Sequence, residues 1–403
     1  MFTQWFNPEP TFKGLSFAKE LIRLGHEVEV LTGFPNYPGG KVYNGYKIRF
    51  LQREIMDGIP VLRVPLYPSH NNSGMQRIAN YASFALSAAT IGALLVKPAD
   101  IMYVYHPPAT VGLAATVIHL LRKIPFVYDV QDLWPDTLNA TGMVNNRIVL
   151  GLIEKWCRLI YRQARRITVL SPGFKKILCE RGVPNDKVEV IYNWCDENQI
   201  QITGRNDDLA RDLGLSGRFN IIFAGTMGKA QALDAVLDAA GHISQRFPII
   251  QFVFVGGGID VVRLQKKAQD MELINVRFLP RKPMSEIGQI LNLADVLLVH
   301  LKDDPLFEIT IPSKTQTYMA VGRPILMGAR GDAADLVDKA NAGISCIPED
   351  PKSIADSIER LFTLPRSQLD ALGDNGRKYY DKELSLSAGV RRFQEIFTSV
   401  FRC

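Results

Sequence analysis

Two doubly wound α/β domains, each a parallel sheet covered by helices on both faces, are the fold class that this sequence predicts. Three observations carry that reading. Short apolar runs alternate with amphipathic segments almost throughout; the runs read as short strands buried on both faces; and the alternation restarts once, near residues 196–218. A chain of 403 residues, 47% hydrophobic and 22% charged, is long enough to bury two cores of about 200 residues each.

In chain order, Met1–Pro10 reads as the end of a strand entering a loop, without the basic segment and apolar run of a secretory signal. The strand-like runs of the first half are Val28–Leu31, Ile101–Tyr105, Phe126–Tyr128, Ile167–Leu170 and Val188–Ile191. Helical spacing marks Leu15–Leu24 and Ile148–Ala164. The most apolar stretch, Ile78–Val96, is broken by Asn80, Ser83, Ser87 and Thr90, so it is expected to be a buried helix rather than a membrane span. Asp196–Gln199, Gly204–Asp208 and Gly214–Gly217 make residues 196–218 a polar, glycine-containing linker, which sets domains at 1–198 and from 199 onward. The second half repeats the pattern with strands Asn220–Phe223, Ile250–Val255, Val276–Phe278, Val296–Val299 and Pro324–Met327. Its helices are Leu233–Ile243, Val261–Met271 and Ser353–Phe362.

Charge narrows the partners. The net formal charge is +6, and all the surplus lies in residues 1–200, where 22 Lys and Arg face 16 Asp and Glu; the remainder holds 25 of each. Signs mixed along the chain argue against a dedicated nucleic-acid binder and leave phosphorylated substrates or an anionic membrane surface as partners. Arg158, Arg162, Arg165, Arg166, Lys175 and Lys176 would supply peripheral contact with such a membrane, although solvated helix faces explain them equally well. Five cysteines without a CxxC pair fit a reducing compartment, and the expected location is cytoplasmic. No zinc-like spacing, GxSxG or GxxxxGK[ST] is present, so neither a metal nor a P-loop ATPase is expected.

In doubly wound sheets ligands bind where strands end, so the loops after the strands carry the candidates. Phe223–Gln231 runs from a strand toward a helix. Its Gly225 and Gly228 permit close backbone approach, a following helix start offers unpaired donors, and Lys229 adds a charge, which together suit a diphosphate. Gly at a strand-to-helix turn with a nearby Lys is also common for packing alone. Val255–Asp260 contains Gly256, Gly257 and Gly258 without dinucleotide spacing, and is expected to let backbone approach a ligand or a neighbouring element. Glu308–Pro324 crowds Thr310, Ser313, Lys314 and Gln316 at a helix start, with Ser313 as its expected N-cap, and suits an anionic or hydroxyl-rich ligand. In the first half, His106 and the pair Asp129 and Asp132 follow strands. They could position sugar hydroxyls or move a proton, while Asp129 is expected to be structural and a lone His is more often simply packed.

Gly25–Val28, Asn36–Gly40, Asp132–Asp136, Leu170–Phe174, Ile191–Trp194, Gly225–Gln231 and Thr310–Gln316, taken in order, resemble the retaining family-four glycosyltransferases of GT-B fold. Within these the chain is similar to bacterial O-antigen and capsule enzymes that include the proposed N-acetyl-L-fucosamine transferase. The resemblance implies two Rossmann-like domains facing across a cleft, with a last helix near Ser385–Phe401 returning to the first domain, so that 1–198 is completed by 385–403 and the second domain is 199–384. It implies an acceptor, saccharide or lipid-linked, on the first domain and a nucleotide-sugar donor, usually UDP-linked, on the second. Transfer would retain anomeric configuration, with front-face attack and no obligatory metal or other cofactor. Gly14 then falls beside the donor phosphates, Thr226, Lys229 and Gln231 in the phosphate loop, and Glu308 through Gln316 at the donor sugar and ribose. His106 and Asp132 fall on acceptor-side or sugar-contacting loops, and with Lys229 make the expected catalytic set.

The chain also departs from that pattern. The family's phosphate Arg and Lys correspond to Thr226 and Gln231, so Lys229 would act from a shifted position. Thr317 stands where the second ribose-binding Glu is usual, and Glu308 is one residue off the usual spacing. Similar proteins begin a few apolar residues earlier, so the first strand is expected to start upstream of Met1. Two other readings share the scaffold: a sugar-nucleotide epimerase and a non-catalytic scaffold of envelope-polymer assembly.

Overall fold

Strands apolar on both sides pair in parallel and need helices to cover them, and the chain does this twice. The computed structural model describes residues 1–69, 74–140, 143–144, 146–197, 200 and 204–401. It divides into a unit of Met1–Tyr192 with Gly389–Cys403 and a unit of Asn193–Ala388. The expected division between residues 198 and 199 lies outside the described residues, a few positions beyond Tyr192. The stretch read as linker holds a short helix, Asp207–Asp212, capped by the Asn206 side chain accepting from Leu209 N.

The first unit is built on eight strands: β1 (Phe2–Thr3), β2 (Val30–Gly33), β3 (Gln52–Met56), β4 (Ile59–Val64), β5 (Met102–Tyr105), β6 (Phe126–Val130), β7 (Arg166–Val169) and β8 (Val188–Val190). Their order is β3-β4-β2-β1-β5-β6-β7-β8, parallel except for the antiparallel pair β3–β4. The sequence reading missed that hairpin because β3 is an edge strand with charged residues on it. Its signal was Asp57-Gly58, whose φ values of 50° and 86° supply the left-handed pair a two-residue turn needs. One sheet face packs Tyr103 against Phe17 and Phe393; the other packs Tyr128 near Gly112, where a Cβ would lie 2.8 Å from Ile160. Helix Leu386–Phe401 thus contributes Phe393 to the first unit's core.

The predicted buried helix spans Gly74–Leu95, with a π-turn at Ala88–Gly92. Only one stripe of it is covered. Asn80, Tyr81, Phe84 and Ala88 are buried, whereas Met75, Ile78, Leu86 and Leu94 are exposed, because a helix lying on a sheet meets it along one side. Among the described residues it is the one helix long and apolar enough to cross a membrane.

Among the described residues the second unit has six strands, all parallel: β9 (Phe219–Thr226), β10 (Ile250–Gly257), β11 (Val276–Leu279), β12 (Val296–His300), β13 (Ile325–Gly328) and β14 (Gly343–Ser345), ordered β11-β10-β9-β12-β13-β14. Phe223, Phe254, Leu237, Leu298 and Ile354 lie in one apolar cluster that joins the sheet to helices Asp234–Ser244 and Pro351–Thr363.

Strand order fixes where ligands can enter. In the first sheet the chain winds from β1 out to β2 and then resumes on β1's other side with β5; in the second it winds from β9 to β10 and β11, then resumes beside β9 with β12. The crevice where direction reverses opens beyond the carboxyl ends of β1 and β5, and of β9 and β12. These are the loops holding Gly14 and His106 in one unit, and Gly225–Gln231 and Glu308–Gln316 in the other.

Candidate functional site

In the second unit the loop after β9 is pressed against the loop after β10. Met227 N donates to Gly257 O at 2.8 Å, and β9 and β10 pair in register up to Thr226 and Gly257. A Cβ on Gly256 would stand 2.0 Å from Gly225 O, and one on Gly258 would stand 2.1 Å from Met227 O, with φ of 144° and 147°. The triple glycine therefore serves this close approach through Gly256 and Gly258. Gly257, whose Cβ would meet nothing within 4 Å, is free of that constraint.

The helix expected directly behind the loop starts later. A 3-10 turn at Lys229–Gln231 comes first, and Ala232 is left-handed at φ 45°, which breaks the helical path before Asp234–Ser244 begins. That helix start already has its own carboxylate, Asp234, held by Arg263 through bonds of 2.7 and 2.8 Å. The Gln231 side chain turns back to accept from Gly228 N at 3.1 Å, Lys229 is exposed, and Thr226 is exposed at the strand end.

A different lysine enters the loop. Helix Ser313–Val321 is pinned to β9 by the Tyr318 hydroxyl, which accepts from Ala224 N at 2.9 Å and contacts Ala224 O at 3.3 Å. One turn earlier Lys314 reaches over the Phe223 ring, its amine 3.6 Å from the centroid and 3.2 Å from where a Gly225 Cβ would be. Gly225 has φ 140°, a backbone conformation that favours glycine, and a Cβ there would also press on the Lys314 amine. The amine is buried and among the described residues has no hydrogen-bond partner, and burial lowers its pKa from 10.5 to about 7. Ser313 is not the N-cap: Pro312 is, without a side-chain bond, because its extended backbone delivers the chain into a helix whose first residue is Ser313, exposed. With its amide oriented so that nitrogen faces the two carbonyls, Gln316 donates to Pro312 O and Ser313 O at 2.9 and 3.1 Å and secures the helix start.

At the end of β12, His300 is buried with its Nδ1 2.7 Å from Gln231 O and its Nε2 accepting from Glu349 N at 3.2 Å. It bridges the two switch-point loops, as does Lys302 N donating to Ala230 O. Glu308 ends the short helix Pro305–Glu308 and is exposed, and Thr310 Oγ1 donates to Leu306 O at 2.9 Å.

In the first unit, Gly14 opens helix Leu15–Arg23; Leu15 N donates to Asn7 Oδ1 at 2.8 Å, and a Gly14 Cβ would strike that same oxygen at 2.4 Å. Beside it Lys13 and Asp129 form a fully buried pair at 2.6 Å. Asp129 is bound by side chains rather than the backbone donors expected of a turn: Tyr103, Thr168 and Gln131 also donate to it. Asp132 accepts from Thr137 Oγ1, and burial raises its pKa. His106 is buried, accepts Gln131 N at Nδ1 at 3.4 Å and so carries its proton on Nε2; burial lowers its pKa to about 3. Around it runs an aromatic series: Trp134 lies edge-on to His106 at 6.0 Å, Tyr81 is 6.4 Å from Trp134, and Trp5 stacks on Tyr37 at 4.4 Å. Among the described residues no group of three His, Cys, Asp or Glu could hold a metal ion.

Residues 15–194 match the glycosyl transferase 4-like domain, and residues 206–379 match the glycosyl transferases group 1 family. The chain is built from two glycosyltransferase domains. It is 26% identical over 96% of its length to WcaI of Escherichia coli (strain K12), also over 96% of that protein, whose name assigns it to colanic acid biosynthesis as a glycosyl transferase. It is 25% identical to the Pseudomonas aeruginosa glycosyltransferase WbjE over 71% of each chain. Its fold is that of Anabaena HepE, crystallised with UDP and glucose, at a TM-score of 0.68 and 16% identity over 99% of both chains, so the architecture is GT-B.

Within the group 1 domain, then, the structure gathers Gly225, Gly228, Lys314 and, through Met227, Gly257 at one switch point, while Lys229, Glu308 and Ser313 stand exposed around it. Within the 4-like domain Gly14, His106 and Asp132 lie on the carboxyl-end loops of β1, β5 and β6. Sequence reasoning did not single out His300, Glu9 or Arg263. Of these only Glu9, a charged residue between two prolines next to an apolar segment, carried a local signal. Its carboxylate accepts from Asn36 N and Tyr37 N, both at 2.7 Å, and from Phe6 N.

Proposed function

We propose that this chain is a retaining glycosyltransferase that takes a sugar from a nucleotide-sugar, UDP-linked, and passes it to a saccharide or lipid-linked acceptor during assembly of a surface polysaccharide. N-acetyl-L-fucosamine or a related amino or deoxy sugar is the candidate cargo, by resemblance to O-antigen and capsule enzymes. The observation that carries the reading is the partnerless buried amine of Lys314 at the β9 switch point. A buried amine without a counter-ion is costly, and a diphosphate laid along Gly225–Gly228 would remove that cost.

In this reading the group 1 domain holds the donor: Lys314 and the backbone donors of the Gly225–Gln231 loop meet the diphosphate, with Lys229 and Thr226 at its exposed side. Glu308, Thr310, Ser313 and Gln316 border the sugar and ribose. The acceptor hydroxyl attacks the anomeric carbon on the face from which the bond to phosphate breaks, and its proton passes to the leaving phosphate oxygen. Positioning and stabilisation of phosphate charge then supply the catalysis. His106, neutral with its proton on Nε2, and Asp132 orient sugar hydroxyls on the 4-like domain.

A panel of UDP- and GDP-sugars offered with a saccharide acceptor tests this. Released UDP together with an extended product of unchanged anomeric configuration is expected. An epimerised donor without transfer would favour the epimerase, and tight donor binding without turnover the scaffold; either would overturn the proposal.

A further inference from the structure

Helices Gly74–Leu95, Thr110–Arg122 and Arg147–Gln163 form one layer on the first sheet, with the middle helix packed against both others. A helix on a sheet ordinarily turns charge to solvent. These do not. The outer stripe of the first is Met75, Ile78, Leu86 and Leu94, exposed by 84%, 46%, 67% and 77%, and no charged residue occurs from Ile78 to Val96. The outer stripe of the second is Val117, Leu120 and Leu121, all exposed. The third presents Ile148 and Leu152, and then the same stripe continues as Lys155, Leu159 and Arg162. An uncovered apolar face of this extent marks an interaction surface.

Its charge says what covers it. The three helices together hold Arg77, Arg122, Arg147, Lys155, Arg158 and Arg162 against a single acid, Glu154, which Arg158 already pairs with. A second copy would bring a cationic face against a cationic face, whereas an anionic lipid surface matches both the apolar stripe and the basic end. Crossing the bilayer is not open to the first helix. Its inner stripe is held to the sheet by Asn80, which accepts from Gln4 Nε2 and donates to Tyr67 O, and by Phe84 against Phe2.

We propose that this three-helix face lies flat on an anionic bilayer, inserting its aliphatic side chains among the lipids while the Lys and Arg side chains meet the headgroups. The same first helix carries Tyr81 on its inner side, in the aromatic series that includes Trp134 and Trp5, so the bilayer would meet the 4-like domain next to its carboxyl-end loops. The inference stands on the surface alone and holds whether or not the donor assignment does.

Flotation with vesicles of phosphatidylcholine alone, or of equal parts phosphatidylcholine and phosphatidylglycerol, tests it without any sugar donor. The wild-type chain should float with the anionic vesicles, and L86E/L121E should bind them about tenfold less or weaker while keeping its circular dichroism and melting temperature. A second variant, K155E/R162E, should weaken binding to the anionic vesicles and leave whatever binding exists to neutral ones. Absence of wild-type binding to either vesicle, or equal binding by L86E/L121E, would overturn the proposal. So would a wild-type dimer that L86E/L121E disperses without any vesicle binding, since the face would then belong to a second copy.

Discussion

The amine of Lys314 lies 3.6 Å from the centre of the Phe223 ring and has no hydrogen-bond partner among the described residues. A cation over an aromatic face is favourable by about 1–2 kcal/mol when desolvated, which falls short of what water would give it. The geometry is held from elsewhere: Tyr318, one turn along the same helix, is bonded to Ala224, the residue after Phe223. Helix and loop are thus fixed to each other, and the amine is held ready at Gly225 before any ligand arrives.

Gly258 and Gly257 should respond oppositely to alanine. Gly258→Ala places a Cβ 2.1 Å from Met227 O at φ 147°, so it should lower stability by about 2 kcal/mol and displace the loop, weakening UDP binding about tenfold. Gly257→Ala meets nothing within 4 Å and should leave stability within about 0.5 kcal/mol. Urea unfolding of both variants, with UDP titration of the first, measures the difference.

Lys13 and Asp129 form a buried pair whose separation leaves a charge without its counter-ion. Lys13→Met should cost about 3–5 kcal/mol in chemical denaturation, and adding Asp129→Asn should recover at least about 1 kcal/mol of it. Full additivity of the two losses would show that the pair is not coupled.

His106 is held near pKa 3 by burial, well below the 6.5 of the free side chain. The unfolded chain therefore binds a proton between about pH 6.5 and 3 that the folded chain refuses, and this residue removes up to about 1.4 kcal/mol of stability per pH unit as pH falls through that window. Its ring carbon-bound protons should show no titration in NMR spectra from pH 8 to 5; a midpoint near neutrality would contradict the buried, neutral imidazole (both limits chosen about the free value).

Glu9 is pushed up to about 7 by burial, against the bonds from Asn36 N, Tyr37 N and Phe6 N. A raised carboxyl takes its proton in the folded state first, so its contribution to stability is lost as pH rises from about 4.5 through 7. Below about pH 4.5, where that contribution is fully present, Glu9→Ala leaves three buried N–H groups unpaired and should cost about 3 kcal/mol or more, and the loss should shrink as pH rises through about 7. A loss under about 1 kcal/mol in thermal unfolding would show that water replaces the carboxylate.

The strand runs were legible because strands covered on both faces leave largely apolar stretches, as in Val296–Val299, whereas Val28–Leu31 carries Glu29 and the strand there is Val30–Gly33. The hairpin β3–β4 escaped because one of its strands is a charged edge, although Asp57-Gly58 announced the turn. At the site, glycine and lysine content marked both loops, yet which lysine serves the β9 loop depends on how helix Ser313–Val321 is seated on the sheet. That seating is a tertiary bond from Tyr318 to Ala224, 94 residues away in sequence, and has no local signature. The same holds for Asp129, whose partners Lys13, Tyr103 and Thr168 come from three other segments.

Lys314 also sets the most direct test. A diphosphate beside its amine raises the lysine's pKa above about 7, so UDP binding should take up a proton; the added affinity is fully present below about pH 7 and falls about tenfold per pH unit above it, until the bound value is passed. Calorimetric titration of UDP near pH 8, about one unit above the free value, in two buffers of different ionisation enthalpy reads that proton directly. Uptake of close to one proton per UDP by the wild-type chain, with none by Lys314→Met and at least about tenfold weaker binding by that variant, is the predicted result. UDP binding without proton uptake, or with equal affinity in the two proteins, would contradict the placement of the donor diphosphate on Lys314.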